Sequence, residues 1–369
     1  MRVVFTGGGT GGHLYPALAI ARALRALRPD VEPFFVGARR GIEQHVLPAS
    51  EFPHVLLDLH PLYRARPWRN WRTALGLTTS WSAIGRLFAA QPPALIVATG
   101  GYASSATLAW CWAHRVPYVL QEQNSFPGQT IRLFSRRARE IYLGFPESAP
   151  LLPGDAASRA IATGNPVQPP PDPLPSRGGA RSHWGFPESG GRVLLVFGGS
   201  QGSAAINGLV DAWVARGLPD DVYLIWATGM SHFPRHASRS SPRVVVREYL
   251  SPISEAYAAC DLALTRAGAM TTAELCAWAI PAILIPLPSA AADHQTANAR
   301  SLAAAGAARW IPEREATPAR LDADVLGLLR DDAALTTLAA GARARARPDA
   351  AHDIARRITA LLGKRGDAS

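Results

Sequence analysis

The 369-residue chain reads as an α/β protein made of two doubly wound, parallel-sheet domains. Three observations predict this. Short apolar runs alternate with helical stretches in both halves, the pattern of parallel sheets wrapped by helices. Each half opens on the same unit, an apolar strand feeding a glycine turn that enters a helix. The length also passes the roughly 250–300 residues at which a single core stops growing.

In the first half, Val3–Phe5 is a strand, "TGGGTGGH" (residues 6–13) a turn, and Pro16–Leu27 a helix. Pro33–Val36 is the second strand, with a helix near Ile42–Leu47. Ala94–Ala98 enters "TGGY" (Thr99 to Tyr102) and a helix through Trp112, and Tyr118–Leu120 follows as a strand. From Gly164 to Gly191 proline and glycine break both periodicities. The expected domains are therefore 1–164, a linker over 165–191, 192–348, and a closing helix within 349–369. In the second half, Val193–Phe197 feeds "GGSQGS" (Gly198 to Ser203) and a helix over Ala204–Val214. Strands Tyr223–Ala227, Val244–Arg247 and Asp261–Thr265 follow, the last entering "RAGAMTTAEL" (Arg266 to Leu275). Ala282–Ile285 is a strand and "AADHQTANAR" opens a helix. Ala351–Leu362 carries Ile354, Ile358, Leu361 and Leu362 on one face and arginines on the other.

The formal charge is +10, and Lys364 is the only lysine. Arginine-favouring codon use explains such an excess, as does attraction to an anionic surface, nucleic acid or phospholipid. The chain starts on an apolar strand, without the charged-then-apolar pattern of a signal peptide. With no apolar run of about 18 residues, no spanning helix is expected. Cys111, Cys260 and Cys276 are far apart in apolar runs, the spacing of buried cytosolic thiols rather than of disulfide or zinc ligands.

Gly7, Gly9 and Gly12 satisfy G-x-G-x-x-G, but the acidic residue that a dinucleotide ribose needs is replaced by "GARR" (Gly37 to Arg40). That sequence suits a 2′-phosphate at best. G-x-x-x-x-G-K-[ST] is absent, which excludes a phosphate-loop nucleotidase. Glycine turns whose amides and helix N-termini face an anion remain, and so does mere close strand–helix packing. His13, at the head of the first helix, is a candidate proton acceptor. Glu274 could accept both hydroxyls of a ribose, or close a capping box with Thr271. Asp293-His294-Gln295 fits a sugar clamp or an N-cap. Asp322 and Asp324 form a D-x-D that its helical setting marks as chance.

"GGGTGGHLYPALAIA" (Gly7 to Ala21), "TGGY", "EQN" (Glu122 to Asn124), "GNPV" (Gly164 to Val167), "GGSQGSAAIN" (Gly198 to Asn207), "RAGAMTTAE" and "DHQTANA" (Asp293 to Ala299) occur in this order over nearly the whole chain. Together they resemble the MurG type, bacterial UDP-N-acetylglucosamine:lipid I N-acetylglucosaminyltransferases of peptidoglycan synthesis. The resemblance implies a glycosyltransferase-B (GT-B) fold, two Rossmann-like domains facing across a cleft. It assigns the donor to the C-terminal domain, with Ser200, Gln201 and Asn207 around the diphosphate and the main chain of Leu250 on uracil. Ala269, Met270, Thr271, Thr272, Ala273 and Glu274 would bind the nucleotide, Glu274 on the ribose, and Gln295 would hold the sugar. Thr10, Gly11, Gly12 and Asn124 would complete the sugar site. His13 would stand where the acceptor hydroxyl and diphosphate meet, as the base of an inverting transfer. Three positions depart from the family pattern: Gln168 replaces an arginine near the donor diphosphate, Gln121 a histidine, and Ala273 a serine.

The lipid acceptor of that family, a polyprenyl diphosphate, requires membrane contact without a spanning helix. Trp68 and Trp71 stand among Arg64, Arg66, Arg69 and Arg72, the mix that meets anionic lipid. Leu77, Trp81, Ile84 and Phe88 form one helical stripe, read as core-facing from Trp81 onward. The expected setting is the cytoplasmic face of the bacterial membrane, peripherally attached. No nucleic acid and no tightly held cofactor or metal are expected; a divalent cation, where used, would come with the diphosphates. The rivals are another GT-B nucleotide-sugar transferase, an NADP-dependent oxidoreductase, and a lipid- or RNA-binding module. The oxidoreductase predicts a dissimilar second domain, and the binding module leaves the glycine turns unexplained.

Overall fold

Strand β1 (Arg2–Thr6, RVVFT) exposes only part of Arg2, and so apolar a run suits a strand covered on both faces. It lies in a parallel sheet with β2 (Glu32–Ala38), β3 (His54–Leu57), β4 (Leu95–Ala98), β5 (Tyr118–Glu122), β6 (Ile141–Leu143) and β7 (Ala160–Ile161), in the order β3-β2-β1-β4-β5-β6-β7. Val3, Phe5, Phe35 and Val97 pack on one face, and Val4, Val36 and Ile96 on the other. A second parallel sheet joins β8 (Arg192–Phe197), β9 (Val222–Ala227), β10 (Val244–Arg247), β11 (Leu262–Thr265), β12 (Ala282–Leu284) and β13 (Arg309–Trp310), in the order β10-β9-β8-β11-β12-β13. This is a computed structural model describing residues 1–61, 68 and 70–363. The chain divides into Met1–Val167 with Pro348–Ser369 as one unit and Gln168–Arg347 as the other.

Two boundaries differ from expectation. The linker expected over 165–191 belongs to the second unit from Gln168 onward. Within it, Arg177–His183 is a helix capped by Ser176, and the buried Arg181 pairs with the buried Asp261 at 2.9 Å. Proline and glycine flank this helix without preventing it. The closing helix, Ala350–Gly363, belongs to the first unit. Its buried Ile354, Ile358 and Leu362 join the core of Leu14, Leu18 and Leu24, and Arg357 holds Glu140 through two bonds of 2.8 and 2.9 Å.

The first helix is Gly11–Leu27, with Pro16 inside it. It therefore begins five residues before the proline, directly on the glycine turn, and carries His13 in its first turn. No described helix is long and apolar enough to cross a membrane.

Candidate active site

In each sheet the strand order reverses once, between β1 and β4 in the first and between β8 and β11 in the second. Open α/β sheets bind ligands outside the carboxyl ends of the strands at such reversals. Those four strand ends lead into Gly7–His13, Thr99–Tyr102, Gly198–Ser203 and Arg266–Gly268, the stretches that the sequence singled out.

In the first unit, Thr99 N–H donates to the Thr6 carbonyl at 3.0 Å, and Thr99 Oγ1 donates to the His13 carbonyl at 2.7 Å. The TGGY turn thus holds the head of the first helix. A Cβ at Gly7 would collide with Thr99, and one at Gly101 (φ +76°) with the Gly8 carbonyl, so only glycine lets the two turns meet. Thr10 is the N-cap by backbone, yet its hydroxyl makes no capping bond. Thr10 Oγ1 instead lies 2.9 Å from His13 Nδ1. A residue type that ordinarily caps a helix is turned here to an imidazole.

Asn124 sits on a loop organised by Glu122. The buried Glu122 carboxylate accepts from Asn124 N–H (2.9 Å), Asn124 Nδ2 (3.2 Å) and Gly128 N–H (2.7 Å). Burial pushes its pKa up, and those donors pull it back. Gln121, where the resemblance has a histidine, is fully buried and donates to Asn165 Oδ1 at 3.1 Å. Its place is interior.

In the second unit, Gly199 and Gly202 have φ of +90° and +76°, and Ser200 and Gln201 between them are exposed. Ser203 caps helix Ala204–Val214 by accepting from Ile206 N–H at 3.3 Å. Behind it the buried Arg266 donates to Ser203 Oγ at 2.7 Å and to the carbonyls of Ile285 and Pro286 at 3.1 and 3.2 Å. Asn207 is corrected: its side chain does not face a ligand. It is 1% exposed, donates to the Thr228 carbonyl at 2.8 Å and accepts from Trp226 Nε1 at 3.0 Å. Both ends of its amide support the turn from inside.

Helix Ala269–Ala277 is capped by Gly268 with no side-chain cap bond, so Thr271 and Glu274 form no capping box. Glu274 instead accepts from the Tyr257 hydroxyl at 2.8 Å. Burial raises the Glu274 pKa and the Tyr257 bond lowers it; burial also drives the Tyr257 phenol upward, keeping it a donor. Ala269 and Thr272 are buried, with Thr272 Oγ1 on its own helix's carbonyls. Met270, Thr271 and Ala273 are half-buried. Leu250 is buried. Gln295 Oε1 accepts from Leu287 N–H at 3.0 Å. Asp293 has φ +53° and makes no cap bond; it accepts from Thr296 Oγ1 at 2.6 Å. Asp322 pairs with Trp213 Nε1 and Arg216, and Asp324 with Arg320, so the D-x-D serves packing. Gln168, the first residue of the second unit, is exposed.

Of the basic aromatic stretch, Arg64, Arg66 and Arg69 lie outside the described residues. Trp68 and Trp71 are 71% and 60% exposed, and Arg72 is exposed. Helix Asn70–Ala90 buries Thr73, Ser80, Ile84 and Phe88. The stripe read as core-facing from Trp81 therefore turns inward only at Ile84 and Phe88. Leu77 and Trp81 lie on its exposed flank with Leu75.

Residues 3–143 match the glycosyltransferase family 28 N-terminal domain, and residues 193–354 its C-terminal domain. These matches, on two doubly wound units with glycine turns at their strand reversals, make this a glycosyltransferase of GT-B fold. Over 98% of the chain it is 42% identical to the UDP-N-acetylglucosamine–N-acetylmuramyl-(pentapeptide) pyrophosphoryl-undecaprenol N-acetylglucosamine transferase of Salinibacter ruber, covering 97% of that protein. The protein of that name from Chlorobaculum parvum is 38% identical over 98% of this chain and 99% of its own. The crystal structure of Acinetobacter baumannii MurG superposes with a TM-score of 0.76 at 24% identity, covering 97% of this chain and 99% of that one. The chain belongs to the family of these transferases, within glycosyltransferase family 28.

Sequence reasoning missed three supporting side chains: Glu43, Tyr257 and Arg266. Arg266 opens the motif "RAGAMTTAE", whose glycine and threonines draw the eye first. Tyr257 sat in the apolar run "EAYAAC", and Glu43 in "GIEQH", which reads as an ordinary polar helix face.

Proposed function

We propose that this chain moves N-acetylglucosamine from UDP-N-acetylglucosamine to the 4-hydroxyl of an N-acetylmuramyl-(pentapeptide) group carried on pyrophosphoryl-undecaprenol. The observation that carries this reading is full-length similarity to transferases of that name at 42% and 38% identity. The acceptor oxygen bonds to the anomeric carbon as the carbon–oxygen bond to UDP breaks on the opposite face, which inverts the centre. His13 takes the hydroxyl proton. The second unit binds the donor, with Glu274 on the ribose and Gln295 on the sugar. Negative charge building on UDP meets the Gly198–Ser203 turn and the positive end of helix Ala204–Val214. Gln168 brings a dipole and no charge, so this helix end and turn carry more of that stabilisation.

The test combines labelled UDP-N-acetylglucosamine with a short-chain lipid acceptor and reads labelled disaccharide lipid and released UDP. The reading requires both products, and requires other nucleotide sugars to give neither. Gln168→Arg is expected to lower donor KM about threefold to tenfold, as a hydrogen bond between charged groups outweighs a neutral one; steady-state kinetics check it.

The exposed Trp68, Trp71, Leu75, Leu77 and Trp81, with Arg72 and Arg86 exposed nearby, support peripheral attachment to an anionic membrane surface. Exposed tryptophans beside arginines suit the interface between headgroups and acyl chains. Trp71→Ser with Leu75→Ser is expected to weaken binding to phosphatidylglycerol vesicles about tenfold, equivalent to about 1.4 kcal/mol. Turnover on a water-soluble acceptor should be unchanged. Vesicle sedimentation and kinetics in parallel check both.

A further inference from the structure

Glu43 opens the short helix Glu43–Val46 and is 0% exposed, a costly place for a carboxylate without partners. Its Oε1 accepts from Gly9 N–H at 2.8 Å and from Ala38 N–H at 3.4 Å. Its Oε2 is buried with no hydrogen-bond partner. The chain is cut away around this one side chain. A Cβ at Gly8 would overlap the carboxylate, one at Gly41 would lie 2.8 Å from Oε2, and one at Gly37 3.3 Å from Cγ. Gly9 and Gly41 have φ of +88° and +90°, backbone that glycine alone adopts readily. Burial raises the Glu43 pKa against the pull of the Gly9 and Ala38 amides.

The glycine turn after β1 thus has an anion-type partner of its own. Its Gly9 amide points at a side chain of the same unit rather than outward to a ligand. Two residues further on, the Gly11–Leu27 helix begins, and Thr10 and His13 pair at its head.

We infer that Glu43 is a positioning residue for the transfer: by taking the Gly9 amide it fixes the turn, and through the turn the placement of the Thr10–His13 pair. Phosphate binding at this turn then falls to the first N–H groups of the helix, from Gly11 on. The inference rests on the reading of His13 as the group that takes the acceptor's proton.

A double-mutant cycle tests it. Glu43→Ala is expected to lower kcat about 10- to 100-fold, the scale of a reacting group displaced by about 1 Å, with UDP affinity within about twofold because the nucleotide is read as sitting on the other unit. Glu43→Gln, whose amide oxygen can still accept from Gly9 N–H, should keep most of kcat. In a His13→Ala background, Glu43→Ala should cost less than about threefold more, since residues that act through one another are not additive. A purely structural role predicts the full loss again in that background, and would overturn the inference. So would a Glu43→Gln enzyme as slow as Glu43→Ala. Should Glu43→Ala not fold, Glu43→Asp, one methylene too short to reach Gly9, runs the same cycle. A His13→Ala enzyme with undiminished kcat would overturn the reading of His13 and this inference with it. A crippled His13→Ala enzyme beside an intact Glu43→Ala enzyme would overturn this inference alone.

Discussion

His13→Ala is expected to lower kcat about 10²- to 10⁴-fold, the usual contribution of a positioned general base, and to leave UDP affinity within about twofold. Steady-state kinetics with UDP titration by calorimetry check both parts. The side chain paired with His13 is that of Thr10. Its hydroxyl gives up the N-cap bond that its backbone position offers and lies 2.9 Å from His13 Nδ1. When Nδ1–H donates to that hydroxyl, the ring's lone pair lies on Nε2, the nitrogen that can then take a proton. Thr10→Val keeps the shape and removes the partner, so it should cost kcat about three- to tenfold, the worth of one neutral hydrogen bond. Thr10→Ser, which restores the hydroxyl, should recover most of that loss. If Thr10→Ser is as slow as Thr10→Val, the hydroxyl does not set the tautomer.

How far the sequence reached follows from what each feature leaves in it. Strands buried on both faces are uninterrupted apolar runs, so β1, β8 and β9 were legible to within a residue. Strands β6, β7 and β13 have only three, two and two residues. At that length no periodicity develops, and sheet membership comes from neighbouring strands. Three of the four turns at the strand reversals were legible because their backbone approach demands glycine, which sequence records directly; in the fourth, a Cβ at Gly268 would meet nothing nearer than Thr271 Oγ1 at 3.8 Å. Asn207 was misplaced because a motif shows adjacency to a turn and not the direction of a side chain. Trp81 was misplaced because a stripe of four apolar residues along one helix does not say where the covering surface ends. Arg181 shows the converse: in a proline- and glycine-rich stretch, a buried ion pair ties its helix to Asp261, 80 positions away. Glu43 and Tyr257 are of the same kind. Each acts by touching a residue remote in sequence.

Glu274→Ala should raise donor KM about 10- to 150-fold, the loss of hydrogen bonds to a charged group worth about 1.5–3 kcal/mol, with kcat less affected because the ribose is remote from the bond that breaks. A 2′- or 3′-deoxyuridine donor should show little further loss with this variant, since the hydroxyls no longer have a carboxylate to meet. Tyr257→Phe probes the same contact from behind. The phenol fixes Glu274 Oε2 at 2.8 Å, so its removal frees the carboxylate to rotate and should raise donor KM about three- to tenfold, less than the full worth of a hydrogen bond to a charged group because Tyr257 only orients the carboxylate. The pH dependence has a definite sign. Burial already holds the Glu274 pKa above the ordinary carboxylate value, and the Tyr257 bond is what lowers it. Only the ionised carboxylate can accept from both hydroxyls, so donor KM rises as pH falls through that raised pKa. Without the phenol the pKa moves higher still, and in Tyr257→Phe the rise in KM must begin at a higher pH. Donor KM measured from mildly acidic to neutral pH in both enzymes decides it. A Tyr257→Phe profile parallel to that of the unsubstituted enzyme would mean that Glu274 binds the ribose, if at all, without help from Tyr257.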